Sequence, residues 1–278
     1  MRIQLPGLLS HKELFYFAYD RDYECLKKRR PIGWSFFYSP SHLPMLVNAY
    51  TTSLFQENED LTSFITSHIP TLEEKSILVI TFKIVALSEG RTVLVSDDVT
   101  KEMHIKAESD LAVKTKYAWL TIKDGILIAN GGVDESNANG KLILLPRDSF
   151  QTADKIRKQL QKKYNIQDLG VIITDSRTLP LRAGVTGVAL GYAGFEGIKD
   201  YRGKKDIFGR AFKVSRVDVA DSLATAAVYT MGEGNEQRPL ATITDSDVAF
   251  CDEIKKGELH INIQDDMYGP LFTNITHN

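Results

Sequence analysis

Three carboxylates and one hydroxyl stand where this chain should change direction. Asp134 lies in the stretch Asn130-Gly131-Gly132-Val133-Asp134-Glu135-Ser136-Asn137-Ala138-Asn139-Gly140. Asp175 and Ser176 follow the apolar run Leu169 to Thr174, and Glu233 follows an alanine-rich helical pattern. Hard divalent cations such as Mg²⁺ or Mn²⁺ take oxygen ligands of this kind, usually together with substrate phosphates. Phosphate chemistry is therefore what the set would serve. Each acid also has a plainer reading, since Asp at a strand end is a common turn former and Glu in a glycine loop is commonly just solvated. Spacing alone leaves both readings open.

Other sites are missing from the sequence. No GxxxxGK[ST] occurs, so a nucleotide would not be held by a P-loop. HExxH, GxSxG and a GxGxxG opening a helix are also missing. The six histidines are scattered without ligand spacing, and Cys25 and Cys251 form no CxxC pair.

The elements that would position the acids can be read from periodicity. Leu61, Phe64, Ile65 and Ile69 predict a short amphipathic helix from Asp60 to Pro70, followed by a buried strand at residues 77–81. Two β-rich runs around Lys123-Asp124-Gly125 predict a hairpin over residues 117–129. The loop after it is longer than most connections. Ala153, Ile156, Leu160 and Tyr164 predict a helix over residues 152–164 that leads into a strand over residues 169–174, buried on both faces and ending at Asp175. Ser215 with Asp218 suggests a capping box for a helix carrying Ala220, Leu223, Ala224, Ala227, Val228 and Met231. Gly232 would end that helix in the left-handed conformation, placing Glu233 at the negative end of its dipole.

The 278 residues carry 34 Lys+Arg against 36 Asp+Glu, a net charge of −2, which removes the basic footprint of a nucleic-acid binder. A composition 43% hydrophobic and 25% charged excludes a disordered chain and suits a soluble protein. The most apolar stretch, Ile77 to Leu87, is split by Lys83 and too short for a bilayer, and the first residues lack the apolar core of a signal peptide. No membrane role and a cytoplasmic location are expected. Residues 1–44, rich in aromatics and charges without a clean period, form an extension of uncertain fold, and residues 45–278 form the main domain.

A series of motifs then appears in order: Ser88-Glu89-Gly90-Arg91, Gly132-Val133-Asp134-Glu135-Ser136-Asn137, Ile172-Ile173-Thr174-Asp175-Ser176, Gly184-Val185-Thr186-Gly187-Val188-Ala189, Asp200-Tyr201-Arg202-Gly203, Asp206-Ile207-Phe208-Gly209-Arg210, Val219-Ala220-Asp221 and Met231-Gly232-Glu233-Gly234. This set closely resembles the coenzyme F420-0:L-glutamate ligase (gamma-glutamyl ligase) family over about residues 55–245.

The resemblance implies an α+β fold of non-Rossmann mixed sheets with packed helices, forming an intertwined homodimer. It implies a ligase that uses a nucleoside triphosphate, GTP in the archaeal members, to join L-glutamate through its amine to a carboxylate acceptor, with F420-0 as the family-level substrate. Folate, which offers the same terminal γ-carboxylate, is the alternative acceptor, and ATP is the alternative to GTP. By matching positions, Asp134 and Asp175 would bind one Mg²⁺ or Mn²⁺, and Ser176 and Glu233 a second. Asn137 and the loop Met231, Gly232, Gly234, Asn235, Glu236, Gln237 and Arg238 would contact the nucleotide, and Arg182 would hold an anionic oxygen beside the catalytic Asp134 and Asp175. The archaeal relatives carry Ser-Thr and then a Lys ahead of Glu-Gly-Arg, whereas this chain reads Phe82-Lys83-Ile84-Val85-Ala86-Leu87, so Lys83 is the expected nucleotide contact in place of the lysine lost at Leu87. That departure also motivates a further alternative, a non-catalytic nucleotide- or metal-binding dimer.

Overall fold

The computed structural model describes residues 44–95 and 98–272, with the side chain of Val99 excluded. The expected N-terminal extension lies outside the described residues except for its last residue.

The central element is a strand built from continuous apolar residues. β2 (Ser76–Thr81) sends Ile77 and Val79 to one face of a sheet and Leu78 and Ile80 to the other, and all four are fully buried. This two-residue alternation, apolar on both sides, requires cover on both faces. The sheet also holds β1 (Leu46–Tyr50), β8 (Leu169–Thr178), β9 (Val185–Ala193) and β12 (Leu240–Thr244), in the order β1-β12-β2-β8-β9. Only β2 and β8 run parallel, and the other neighbours are antiparallel.

One face is covered by α1 (Leu61–His68), α2 (Phe82–Ser88) and α4 (Ser149–Tyr164), which bury Phe64, Ile65, Phe82, Val85, Ile156 and Leu160. Asp60 caps α1 by accepting from Ser63 N, and Asp148 caps α4 by accepting from Gln151 N. The opposite face is covered by α5 (Val219–Met231), whose Ala220, Ala224 and Ala227 are small enough for close approach to Ile172, Ala189 and Ala241.

Two smaller sheets lie between β2 and β8 in sequence, and a third lies between β9 and β12. β4 (Leu111–Lys114), β5 (Trp119–Lys123) and β6 (Ile126–Ala129) form a meander with the expected reversal at Asp124-Gly125. β3 (Thr92–Leu94) pairs with β7 (Lys141–Ile143), and β10 (Ile198–Asp200) pairs with β11 (Arg216–Asp218). α3 (Asp98–Ala107) and α6 (Gly269–Phe272) complete six helices among the described residues. The expected mixed α+β architecture is present. No helix of the described residues is long and apolar enough to cross a membrane.

Three local expectations change. The strand read as ending at Asp175 continues to Thr178, because β9 pairs with it past a bulge between Ile173 and Thr174. α5 is capped by Asp218 alone, whose carboxylate accepts from Asp221 N, since the residues after Ser215 are drawn into β11. Gly232 does close α5 at positive φ, but with φ 87° and ψ 165° it is extended rather than left-handed helical, in a region open to glycine.

Candidate active site

Asp175 owes its position to the bulge. Beyond it, Asp175 pairs with Val188 and Ser176 with Gly187, and the Asp175 carboxylate folds back to accept from Ser176 N at 2.7 Å. Thr81 of β2 lies in register with Thr174, so the residues that follow on each strand are neighbours. Lys83, the second residue of α2, is therefore carried beside Asp175.

Asp134 arrives from the other side. A 3-10 turn at Asn130–Gly132 follows β6, and Asp134 then exchanges backbone hydrogen bonds with Ile143, donating at 3.0 Å and accepting at 2.8 Å. One carboxylate oxygen accepts from Ser136 N at 2.7 Å, the local turn that Asp favours. The other receives the Lys83 ammonium at 2.9 Å. The same Lys83 Nζ donates to Ser136 Oγ at 2.6 Å and to Ser136 O at 3.1 Å.

Glu233 stands in the exposed loop after α5. Nearby, Asn137 Nδ2 donates to Gly234 O at 3.2 Å, so the asparagine and the loop expected to contact a nucleotide do meet. Glu236 turns back to accept from Gly234 N at 2.8 Å, and Gln237 O accepts from Thr52 N at 2.9 Å. Asn235 and Arg238 are exposed, whereas the Met231 side chain is buried against the sheet and has only its backbone to offer a ligand.

The electrostatics tie these pieces together. Desolvation pushes the Asp175 carboxyl up from 3.8 to about 7; the Ser176 N–H opposes this, the Asp134 and Glu233 charges add to it, and Lys83 offsets part. Burial likewise raises Asp134, but Lys83 and Ser136 outweigh it and hold that carboxyl below its ordinary value. The Asp134 and Glu233 charges thus both bear on Asp175.

Arg182 lies apart. It sits on the exposed turn between β8 and β9, and among the described residues no side-chain hydrogen bond or ion pair joins it to the acids. Two contacts were not anticipated from sequence. Ser136 completes the Lys83 cage, and its place two residues after Asp134 was the available signal. Asp221 accepts from Arg177 at 2.6 Å and from Ala189 N at 2.9 Å, fastening α5 to β8 and β9; it stood in a quoted motif without a role.

A divalent cation fits the donor set, which is all oxygen and carries excess negative charge around Asp175. Among the described residues no three His, Cys, Asp or Glu side chains gather closely enough to hold an ion by themselves. An ion here would complete its shell with the Ser176 hydroxyl, water or a ligand phosphate.

Comparison with known proteins bears on this arrangement. Residues 50–245 match the family described as F420-0:Gamma-glutamyl ligase. A coenzyme F420:L-glutamate ligase of Methanococcus maripaludis (strain C7) is 34% identical over 218 residues, which is 72% of this chain and 87% of that protein. The protein of the same name from Methanopyrus kandleri is 34% identical over 187 residues, covering 60% and 74% of the two chains. That from Methanothermobacter thermautotrophicus is 43% identical over 122 residues, covering 44% and 48%.

Proposed function

The chain belongs to the F420-0:gamma-glutamyl ligase family, and on that premise we propose that it joins the amine of L-glutamate to a carboxylate acceptor at the expense of GTP or ATP. The observation that carries the reading is the convergence of distant segments: the Asp134 and Glu233 charges both bear on buried Asp175, and Asn137 Nδ2 donates to Gly234 O at 3.2 Å.

A carboxylate is a poor electrophile. In the proposed reaction an oxygen of the acceptor carboxylate attacks the γ-phosphorus, the nucleoside diphosphate leaves, and an acyl phosphate forms. The glutamate amine then attacks the acyl carbon, phosphate departs, and the nitrogen releases its proton. Phosphoryl transfer of this kind depends mostly on positioning and charge neutralisation. A bound Mg²⁺ or Mn²⁺ would supply that neutralisation. Asp134, Asp175, Ser176 and Glu233 are the residues that would hold such ions. Asn137, the backbone of Met231, Gly232 and Gly234, and the side chains of Asn235, Gln237 and Arg238 would line the nucleotide. Lys83 brings positive charge to the same place. Arg182, free on its turn, would reach an anionic oxygen only when substrate is bound.

Homodimer formation belongs to the same reading. The segment between β10 and β11 carries Ile207 at 92% and Phe208 at 89% exposure, apolar surface that a second copy would cover. Sedimentation should therefore give twice the 31.2 kDa chain mass.

The test supplies purified protein with Mn²⁺, L-glutamate and nucleotide, with F420-0 or folate as acceptor. Phosphate should be released with one acceptor only, alongside a product heavier by one glutamyl residue. Release with neither overturns the ligase reading.

A further inference from the structure

An ammonium group has three donors and no acceptor. At Lys83 all three find oxygen: Asp134 Oδ2 at 2.9 Å, Ser136 Oγ at 2.6 Å and Ser136 O at 3.1 Å. The second Asp134 oxygen accepts from Ser136 N at 2.7 Å. The oxygens on this side are thus arranged around a cation that the chain itself supplies.

The geometry points to the Lys83 ammonium standing in, at Asp134, for one of two divalent cations, so that this protein binds a single ion. The inference rests on the ligase reading for its metal ligands and departs from the two-ion site that the family resemblance implies. A second ion on Asp134 would have to displace Lys83 or lie a few ångströms from its ammonium, and like charges at that separation repel strongly.

The backbone limits how far Lys83 can withdraw. It is the second residue of α2, set by β2, and Phe82 and Ile84 on either side of it are buried in the core. Its side chain is only 21% exposed. Asp134 is fixed by its backbone pairing with Ile143. With both backbones held, an ion takes Asp134 only if the flexible Lys83 side chain swings away and its ammonium gives up all three oxygens.

Replacing a mobile ion by a tethered ammonium has a chemical consequence. One positive charge at the triphosphate is permanently in place, so activity should follow a simple saturation in Mg²⁺ or Mn²⁺, with no cooperative second ion.

The test is equilibrium dialysis of the full chain against Mn²⁺ alone at about pH 8, with the bound ion examined by electron paramagnetic resonance. The wild type should bind one Mn²⁺ per chain with an uncoupled spectrum. Lys83→Met, which removes the charge while keeping the side-chain volume, should bind two with the broadened spectrum of a coupled pair. Asp134→Asn should leave the wild-type stoichiometry at one. Two coupled ions in the wild type, or a drop to zero in Asp134→Asn, overturns this inference and leaves the ligase reading standing. No bound Mn²⁺ in the wild type overturns the metal site and this inference with it.

Discussion

At Asp175 the environment works against the folded state. The carboxyl titrates near 7 in the fold against an ordinary 3.8, so the folded chain holds that proton more tightly than the unfolded chain does. The associated stabilisation is complete below about pH 3.8 and is lost as pH rises through 7. Above that point the metal-free protein carries a desolvated anion facing Asp134 and Glu233. Asp175→Asn keeps an oxygen for Ser176 N and removes the charge. In chelator, urea denaturation should find it more stable than wild type by roughly 2 to 4 kcal/mol near pH 8, the gap narrowing as pH falls toward 5. The same variant should show no turnover. Equal stability at both pH values overturns the burial argument for this carboxyl, and unchanged turnover removes Asp175 from the mechanism. Among the individual residues, the candidate oxygen donors stood out in the sequence because their type and their place beside glycine or after an apolar run were visible. The Lys83 cage was not, because it joins residues 53 apart through a side chain whose direction no periodicity reveals.

At the scale of elements, the seating of α5 on the sheet determines where Glu233 lies relative to Ser176. Gly187 is opposite Ser176 on β9, and a Cβ there would come within 2.5 Å of Ala224 O and 2.8 Å of Thr225 N. The helix backbone is that close because Thr225 Oγ1 donates to Gly187 O at 3.0 Å and small residues line the contact. Gly187→Ala must push α5 outward, at a cost of about 1 to 3 kcal/mol for overpacking. Thermal denaturation should show that loss, and Mn²⁺ affinity should fall with it because Glu233 moves with the helix. An unchanged Tm would mean that α5 is not seated by this contact. The helix itself was readable from its alanine and leucine spacing, as α1, α4 and the Asp124-Gly125 hairpin were from theirs. Its cap and the end of β8 were misread for one reason: each is decided by a partner strand, β11 pairing with β10 and β9 pairing with β8, and pairing across a sheet leaves no local pattern.

In the whole molecule the site exists because the sheet order brings the ends of parallel β2 and β8 together, where ligands commonly gather in sheets of this kind. The loop before β7 reaches this place from one side and the end of α5 from the other. That convergence was not legible in residue spacing and was suggested only by family resemblance, since it follows from tertiary packing. It implies that a cation should tie the fold together. A ligand binding only the folded state stabilises it by about 2.7 kcal/mol at a hundredfold excess over its Kd. For a domain of this size that corresponds to roughly 5 to 10 °C in Tm. Adding Mn²⁺ to chelator-treated protein should raise Tm by that amount, and chelator should reverse it. Asp175→Asn and Glu233→Gln should lose the shift, while Arg182→Ala, exposed and unlinked to the acids, should keep it. If Asp175→Asn gained as much as the wild type, the ion would be binding elsewhere on the surface, and the acids around β8 would be neighbours without a common ligand.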